Sequence, residues 1–241
     1  MSAQTVSFST PGATSTDSGR ASSFKPAIRV QNSLLTPLEQ RCLQWLVTRL
    51  PGWVTSDQLT VLGFAAMLAA AAFYLVASKW ISGLWFVNVC LAINWFGDSL
   101  DGTLARARNK QRPRYGYYVD HVIDALGILF IVCGMAGSGL MSWPVALAVL
   151  VTYYLLSIDV YLATHSLGLF RMSFLKFGPT ELRLLLVIGN IKVMIKPTAR
   201  LFSHSWLVFD LGAIVAIGLM ALIIVRSIVR NTIALYRAEP L

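Results

Sequence analysis

The sequence predicts an all-α integral membrane bundle of six transmembrane helices preceded by an interfacial amphipathic helix. Three observations predict it. Hydrophobic residues fill 56% of the 241 positions and charged residues 13%, whereas an ordinary soluble domain carries about 25% charge. Six stretches approach the roughly 20 apolar residues that a spanning helix needs. A segment of mixed polarity and helical period stands just before the first of them. Mean hydropathy is +0.65. These values exclude a disordered chain and an ordinary soluble enzyme, and the length suits one membrane domain.

The elements follow in order. Residues 1–35 are rich in Ser, Thr, Ala and Gly, have no apolar period, and read as a disordered tail without a signal-peptide core. Residues 36–52 read as a juxtamembrane amphipathic helix. Thr36-Pro37-Leu38-Glu39 has the form of a capping box with proline in the first turn. Leu38, Cys42, Trp45, Leu46 and Leu50 then share one face, and Glu39, Arg41, Gln44, Thr48 and Arg49 the other. Such a helix lies on a membrane with Trp45 at headgroup depth, and Pro51-Gly52 ends it.

Residues 53–232 form the six-helix transmembrane domain, with spans expected near 57–78, 81–107, 116–137, 142–165, 179–196 and 206–230, and 233–241 a C-terminal tail. Trp53, Trp80, Trp143 and Trp206 fall at expected span ends, where interfacial tryptophans belong. Cys42, Cys90 and Cys133 lack metal spacing and read as packing residues.

Charge sets the expected orientation. Lys and Arg number 20 against 11 Asp and Glu, a net +9. With the N-terminus inside, most of these cations fall in cytoplasmic segments, where they meet anionic headgroups. The fifth loop, with Lys192, Lys196 and Arg200, is the exception. No basic soluble segment exists to bind nucleic acid.

The chemistry concentrates between Asp98 and Asp124. Asp98 and Asp101 are spaced i, i+3, and Asp120 and Asp124 i, i+4, so each pair lies on one helix face. The short basic loop between them makes the two helices antiparallel neighbours, and their acidic ends converge. Four carboxylates near lipid need a cation beside them. Local arginines could supply it, or a hard divalent ion, which prefers oxygen ligands and keeps phosphates in its shell. Gly102 and Gly116 lie one turn from an aspartate on these acidic faces, and Ala105 keeps the face small. Cleared space favours a ligand, although small residues also serve close helix packing. A cation transporter is the competing reading, but its acids would sit near the midplane on broken helices.

The pattern Asp98-x2-Asp101-Gly102-x2-Ala105-Arg106-x9-Gly116-x3-Asp120-x3-Asp124 resembles the signature of the CDP-alcohol phosphotransferase family. The likeness extends over about residues 36–230. It implies an enzyme of phospholipid biosynthesis that moves a substituted phosphate group from a CDP-alcohol to an acceptor alcohol and releases CMP. Asp98, Asp101 and Asp120 would ligate Mg²⁺ or Mn²⁺, with Asp124 completing a second site. Asp124 would also be the general base. Gly102, Ala105 and Gly116 would shape the cytidine pocket, and Arg106 would contact the nucleotide. One of the two substrates would be a lipid, and the protein a homodimer. It would sit in a bacterial inner (plasma) membrane with its site facing the cytoplasm.

Weaker features leave alternatives open. Where the family usually has Pro-Asn, this chain has Ser56-Asp57, and Asp57 reads better as a helix N-cap. Glu181 and Arg183 either start a helix or border the acceptor pocket, and Arg171, Lys176 and Arg183 could grip an acceptor phosphate. His121 and the Gly178-Pro179-x-Glu181 stretch are similar to the choline/ethanolamine branch. Asp159 is expected to face the bundle or a polar cavity, Asp210 an interface, and His165 and His204 loops.

Overall fold

The computed structural model describes residues 28–30, 35–167, 169–171, 178–201 and 204–239. Its helices are α1 (Thr36–Val47), α2 (Ser56–Ala77), α3 (Leu84–Ala107), α4 (Pro113–Gly137), α5 (Trp143–Leu167), α6 (Pro179–Ile195) and α7 (Val208–Ala238). Two short strand pairs accompany them. β1 (Ile28–Val30) runs parallel to β2 (Leu169–Arg171), and β3 (Thr198–Leu201) antiparallel to β4 (His204–Leu207). The expected N-terminal tail, apart from 28–30 and Leu35, lies outside the described residues, as does Lys176. His165 sits in the last turn of α5 and His204 opens β4, so neither is a loop residue.

The expected six spans are corrected to four. Among the described residues, α2, α4, α5 and α7 are long and apolar enough to cross a membrane. α3 has 24 residues but carries Asn88, Asn94, Asp98, Asp101 and Arg106. α6 has 17 residues and includes Glu181, Arg183 and Lys192. A charged group at mid-membrane costs about 2.5–3.5 kcal/mol on insertion scales. Both helices instead turn polar groups inward, with Asn94, Asp101, Glu181 and Asn190 buried.

The α2–α3 hairpin positions the site, and its backbones nearly touch. A Cβ added to Gly97 would lie 2.5 Å from the Leu59 carbonyl oxygen and 2.7 Å from Gly63 N. Only small residues allow this approach. Gly97→Ala should therefore destabilise the protein: overpacking costs about 1–3 kcal/mol, outweighing the roughly 1 kcal/mol that alanine gains in helix propensity. Gly218 on α7 meets nothing within 4 Å, so Gly218→Ala should be neutral or stabilising. Thermal unfolding in detergent compares the two.

Two apolar clusters flank this crossing. One joins Tyr74, Leu84, Val87, Met135 and Val193 with their neighbours, including Cys90. The other, at the acidic end, joins Leu43 of α1 to Val54, Leu59, Leu100 and Leu104. A buried polar chain links α2, α6 and α3: Tyr74 Oη donates to Asn190 Oδ1 at 2.9 Å, and Asn190 Nδ2 to Asn88 Oδ1 at 2.7 Å.

α1 is rotated from its expected setting. Leu43 is buried and Glu39 faces the bundle, while Leu38 and Trp45 are exposed. No side chain caps α1; Leu35 is its N-cap, so the Thr36–Glu39 capping box does not form. The cap of α2 is Thr55, which exchanges hydrogen bonds with Gln58 at 3.2 and 2.8 Å. Asp57 is thus not the cap but pairs with Arg112.

α5 and α7 present long apolar exposed faces, among them Leu147, Val151, Leu155 and Leu162, and Val215, Leu219 and Leu222. Asp210 is buried at the start of α7 and accepts from Ser142 N at 2.8 Å, so it anchors the start of α5 and is not merely interfacial. Asp159 Oδ2 is buried in α5 without a hydrogen-bond partner among the described residues. α7 continues to Ala238, past the expected end at 230.

Candidate active site

The four aspartates come from the loop-side ends of α3 and α4. The expected neighbouring pair is corrected, since both helices pack on α2 and not closely on each other. Asp101 is buried, Asp98 and Asp124 are half-buried and Asp120 is exposed. They lie within reach of one another's charge: Asp98 and Asp120 act on Asp101, and all three act on Asp124.

Protein partners hold Asp101 and Asp98. Asp101 accepts from Thr60 Oγ1 at 2.5 Å and from the Gly102 N–H. Ser56 Oγ donates to the Asp101 carbonyl at 3.0 Å. The start of α2 therefore fixes the end of α3. Asp98 accepts from Arg183 Nη2 at 2.6 Å, and the charge of Arg183 also acts on Asp124. The Arg183 Nε–H donates to Asn94 Oδ1 at 2.7 Å, and Asn94 Nδ2 donates to Gly63 O at 3.0 Å. Its Nη1 is buried with no hydrogen-bond partner among the described residues.

The glycines of the pattern face space. Nothing lies within 4 Å of a Cβ added at Gly116, and at Gly102 the neighbours are guanidinium atoms of Arg106 from 3.4 Å. Helix packing is served elsewhere, by Gly63 and Gly97. Ala105 is half-buried, and Arg106 is exposed, donating to Thr103 Oγ1 at 3.1 Å.

Rings border Asp124. The His121 ring lies 4.1 Å from that of Tyr117 and 4.8 Å from that of Tyr161. Its Nδ1 is 2.5 Å from the Tyr117 carbonyl oxygen. Tyr153 and Tyr161 of α5 are close enough to feel the Asp124 charge.

Glu181 is buried and serves the start of α6, accepting from Gly178 N at 2.9 Å and from Leu35 N at 3.0 Å. Arg171 is described in its backbone alone. Arg108, in the basic loop, donates to carbonyls of Leu50, Pro51, Gly52 and Val54, fastening the α1–α2 turn.

Sequence reasoning missed Glu39, Thr60 and Asn94. Asn94 carried a signal, since it stands one turn before Asp98 inside an apolar stretch. Thr60 closes the stretch Val54–Thr60, which resembles the family's segment before the first span, but sequence reasoning draws no role for it. Glu39 is a polar residue on an ordinary helical position, and nothing local marks it as facing inward.

The donor set is all carboxylate oxygen, which suits a hard cation such as Mg²⁺ or Mn²⁺. Asp98 is turned to Arg183, and Asp101 to Thr60 and Gly102. No group of three or more His, Cys, Asp or Glu side chains closes on one point among the described residues. The residues fit the ion by the chemistry of their donors and by shared charge.

Long apolar helices, with carboxylates from α3 and α4 and an arginine from α6 near one end, define an integral membrane protein. The chain belongs to the CDP-alcohol phosphatidyltransferase family, a family of transferases, whose sequence model matches residues 53–235. It is similar to archaetidylinositol phosphate synthase of Pyrococcus horikoshii, at 35% identity over 104 residues. That match covers 43% of this chain and 52% of the relative, so the chain spans about half the length of the relative it matches.

Proposed function

We propose that this protein catalyses transfer of a substituted phosphate group from a CDP-alcohol to an acceptor alcohol, with release of CMP, in phospholipid biosynthesis. The observation that supports the reading is that Asp98, Asp101, Asp120 and Asp124 lie within reach of one another's charge, near Gly116, which opens onto space, and Gly102, which has only the Arg106 guanidinium beside it.

Asp98, Asp101, Asp120 and Asp124 would hold Mg²⁺ or Mn²⁺, which when bound supplies Lewis-acid stabilisation of charge on the diphosphate oxygens. Asp124 takes the proton of the acceptor hydroxyl. The alcohol oxygen bonds to phosphorus, the bond from phosphorus to the bridging oxygen breaks, and CMP leaves with that oxygen. Arg183 offers its unpaired Nη1 to a phosphate oxygen at the reacting end. Arg106 and the small faces of Gly102, Ala105 and Gly116 receive the nucleotide. The site faces the cytoplasm, where CDP-linked substrates are found, and the active form is a homodimer.

Two acceptor classes are in view. The relative's name points to an inositol phosphate lipid as product, while His121 and Gly178-Pro179-x-Glu181 point to choline or ethanolamine chemistry. Purified protein with Mg²⁺ or Mn²⁺ should release CMP from at least one of CDP-diacylglycerol, CDP-choline and CDP-ethanolamine, given lipid and soluble acceptors. No CMP from any pairing would overturn the reading.

A further inference from the structure

We propose that Glu39 is a positioning residue, which pins the start of α6 to α3 and thereby sets Arg183 against Asp98. One carboxylate oxygen, Oε1, accepts from three donors: Trp95 Nε1 at 2.9 Å, Ser99 Oγ at 2.8 Å and Thr180 Oγ1 at 2.9 Å. Trp95 and Ser99 are one turn apart on α3, and Ser99 adjoins Asp98. Thr180 stands one turn before Arg183 on α6.

Glu39 thus ties the residue beside Asp98 to the turn that carries Arg183. A second bond, from Leu35 N to Glu181 at 3.0 Å, fastens the start of α1 to the same turn. Three donors on two helices aimed at one oxygen exceed what packing an amphipathic helix requires, since an apolar residue at position 39 would serve that end. The sequence family pattern covers none of these contacts. The inference rests on the proposed phosphotransfer for its kinetic arm only.

The test is a double-mutant cycle on the full chain, with a second arm that needs no turnover. Glu39→Leu should lower CMP release about tenfold, and Thr180→Ala, which removes one donor and leaves Glu39 its other two, about threefold; displacing a catalytic group by about an ångström can cost a hundredfold. Glu39→Gln keeps an acceptor oxygen and should recover most of the loss. In an Arg183→Gln background, Glu39→Leu and Thr180→Ala should each cost less than about twofold further, because they act through Arg183. Equal losses in both backgrounds would overturn the proposal, as a structural role alone predicts additivity.

In the second arm, amide hydrogen exchange over 180–184 should speed up in Glu39→Leu and Thr180→Ala relative to the rest of the bundle. Unchanged exchange there would overturn the proposal even if wild-type protein released no CMP, an outcome that would separately defeat the phosphotransferase reading.

Discussion

Asp124→Asn should reduce CMP release by about 10³-fold or more, within the 10²–10⁴ range that general-base catalysis contributes, while the fold survives or gains stability. Asparagine keeps the shape and loses the proton acceptor. The stability sign follows from the charges around the group. Burial desolvates the charge at position 124, Asp98, Asp101 and Asp120 repel it, and Arg183 attracts it. Neutralising Asp124 removes the cost of burying the charge and these repulsions, against the loss of the Arg183 attraction. Stopped activity assays and thermal unfolding of the same preparation read both quantities. Full activity in the variant would remove Asp124 from the chemistry.

Arg183→Gln should shift stability in the opposite direction. Arg183 is the cation that meets Asp98 at 2.6 Å and faces Asp124. Removing it leaves the acids to repel one another, so the melting temperature should fall. The loss should be modest, about 1 kcal/mol, because the Asp98 side chain is still 34% exposed and partly exposed ion pairs are worth about that. Activity should fall further, by about 10²-fold, the scale of losing one oriented donor to developing charge. Arg183→Lys should recover little, since lysine's three N–H groups radiate from a single nitrogen and cannot span Asn94, Asp98 and a third partner as the planar guanidinium fork does. A variant that is as active as wild type, or more stable, would refute the assigned role.

Local patterns made much of this protein legible. Apolar stretches marked where helices lie because lipid and core both demand long runs without charge. The i, i+3 and i, i+4 aspartates each marked one face of a helix, but the short loop did not make α3 and α4 packed neighbours, because α2 stands between them and packs on both. What escaped depends on partners far away in sequence. Glu39 belongs to the polar half of a helical wheel, yet Trp95, Ser99 and Thr180 draw it inward.

Thr55 and Asp57 are both good N-caps, and the choice went to Thr55 because Gln58 reciprocates while Arg112 reaches Asp57. Six apolar stretches became four spanning helices because stretch length does not reveal that α3 and α6 spend their polar residues on each other. Arg183 meeting Asn94 and Asp98 is that exchange in detail. Gly97 gave no hint in isolation, since only the facing Gly63 makes it a crossing point.

The length of α7 has a consequence for traffic in the membrane plane. Its 31 residues extend about 46 Å at 1.5 Å each, against a hydrocarbon layer of about 30 Å. Asp210 fixes its first turn to the start of α5, so the surplus emerges at the other end, the end toward which α5 also runs. There Arg226, Arg230 and Arg237 stand exposed. Each such cation near a headgroup layer attracts anionic lipid by about 1 kcal/mol. In a bilayer the protrusion would act as a mooring post, and a lipid substrate of the proposed reaction would reach the bundle sideways through an annulus enriched in anionic headgroups.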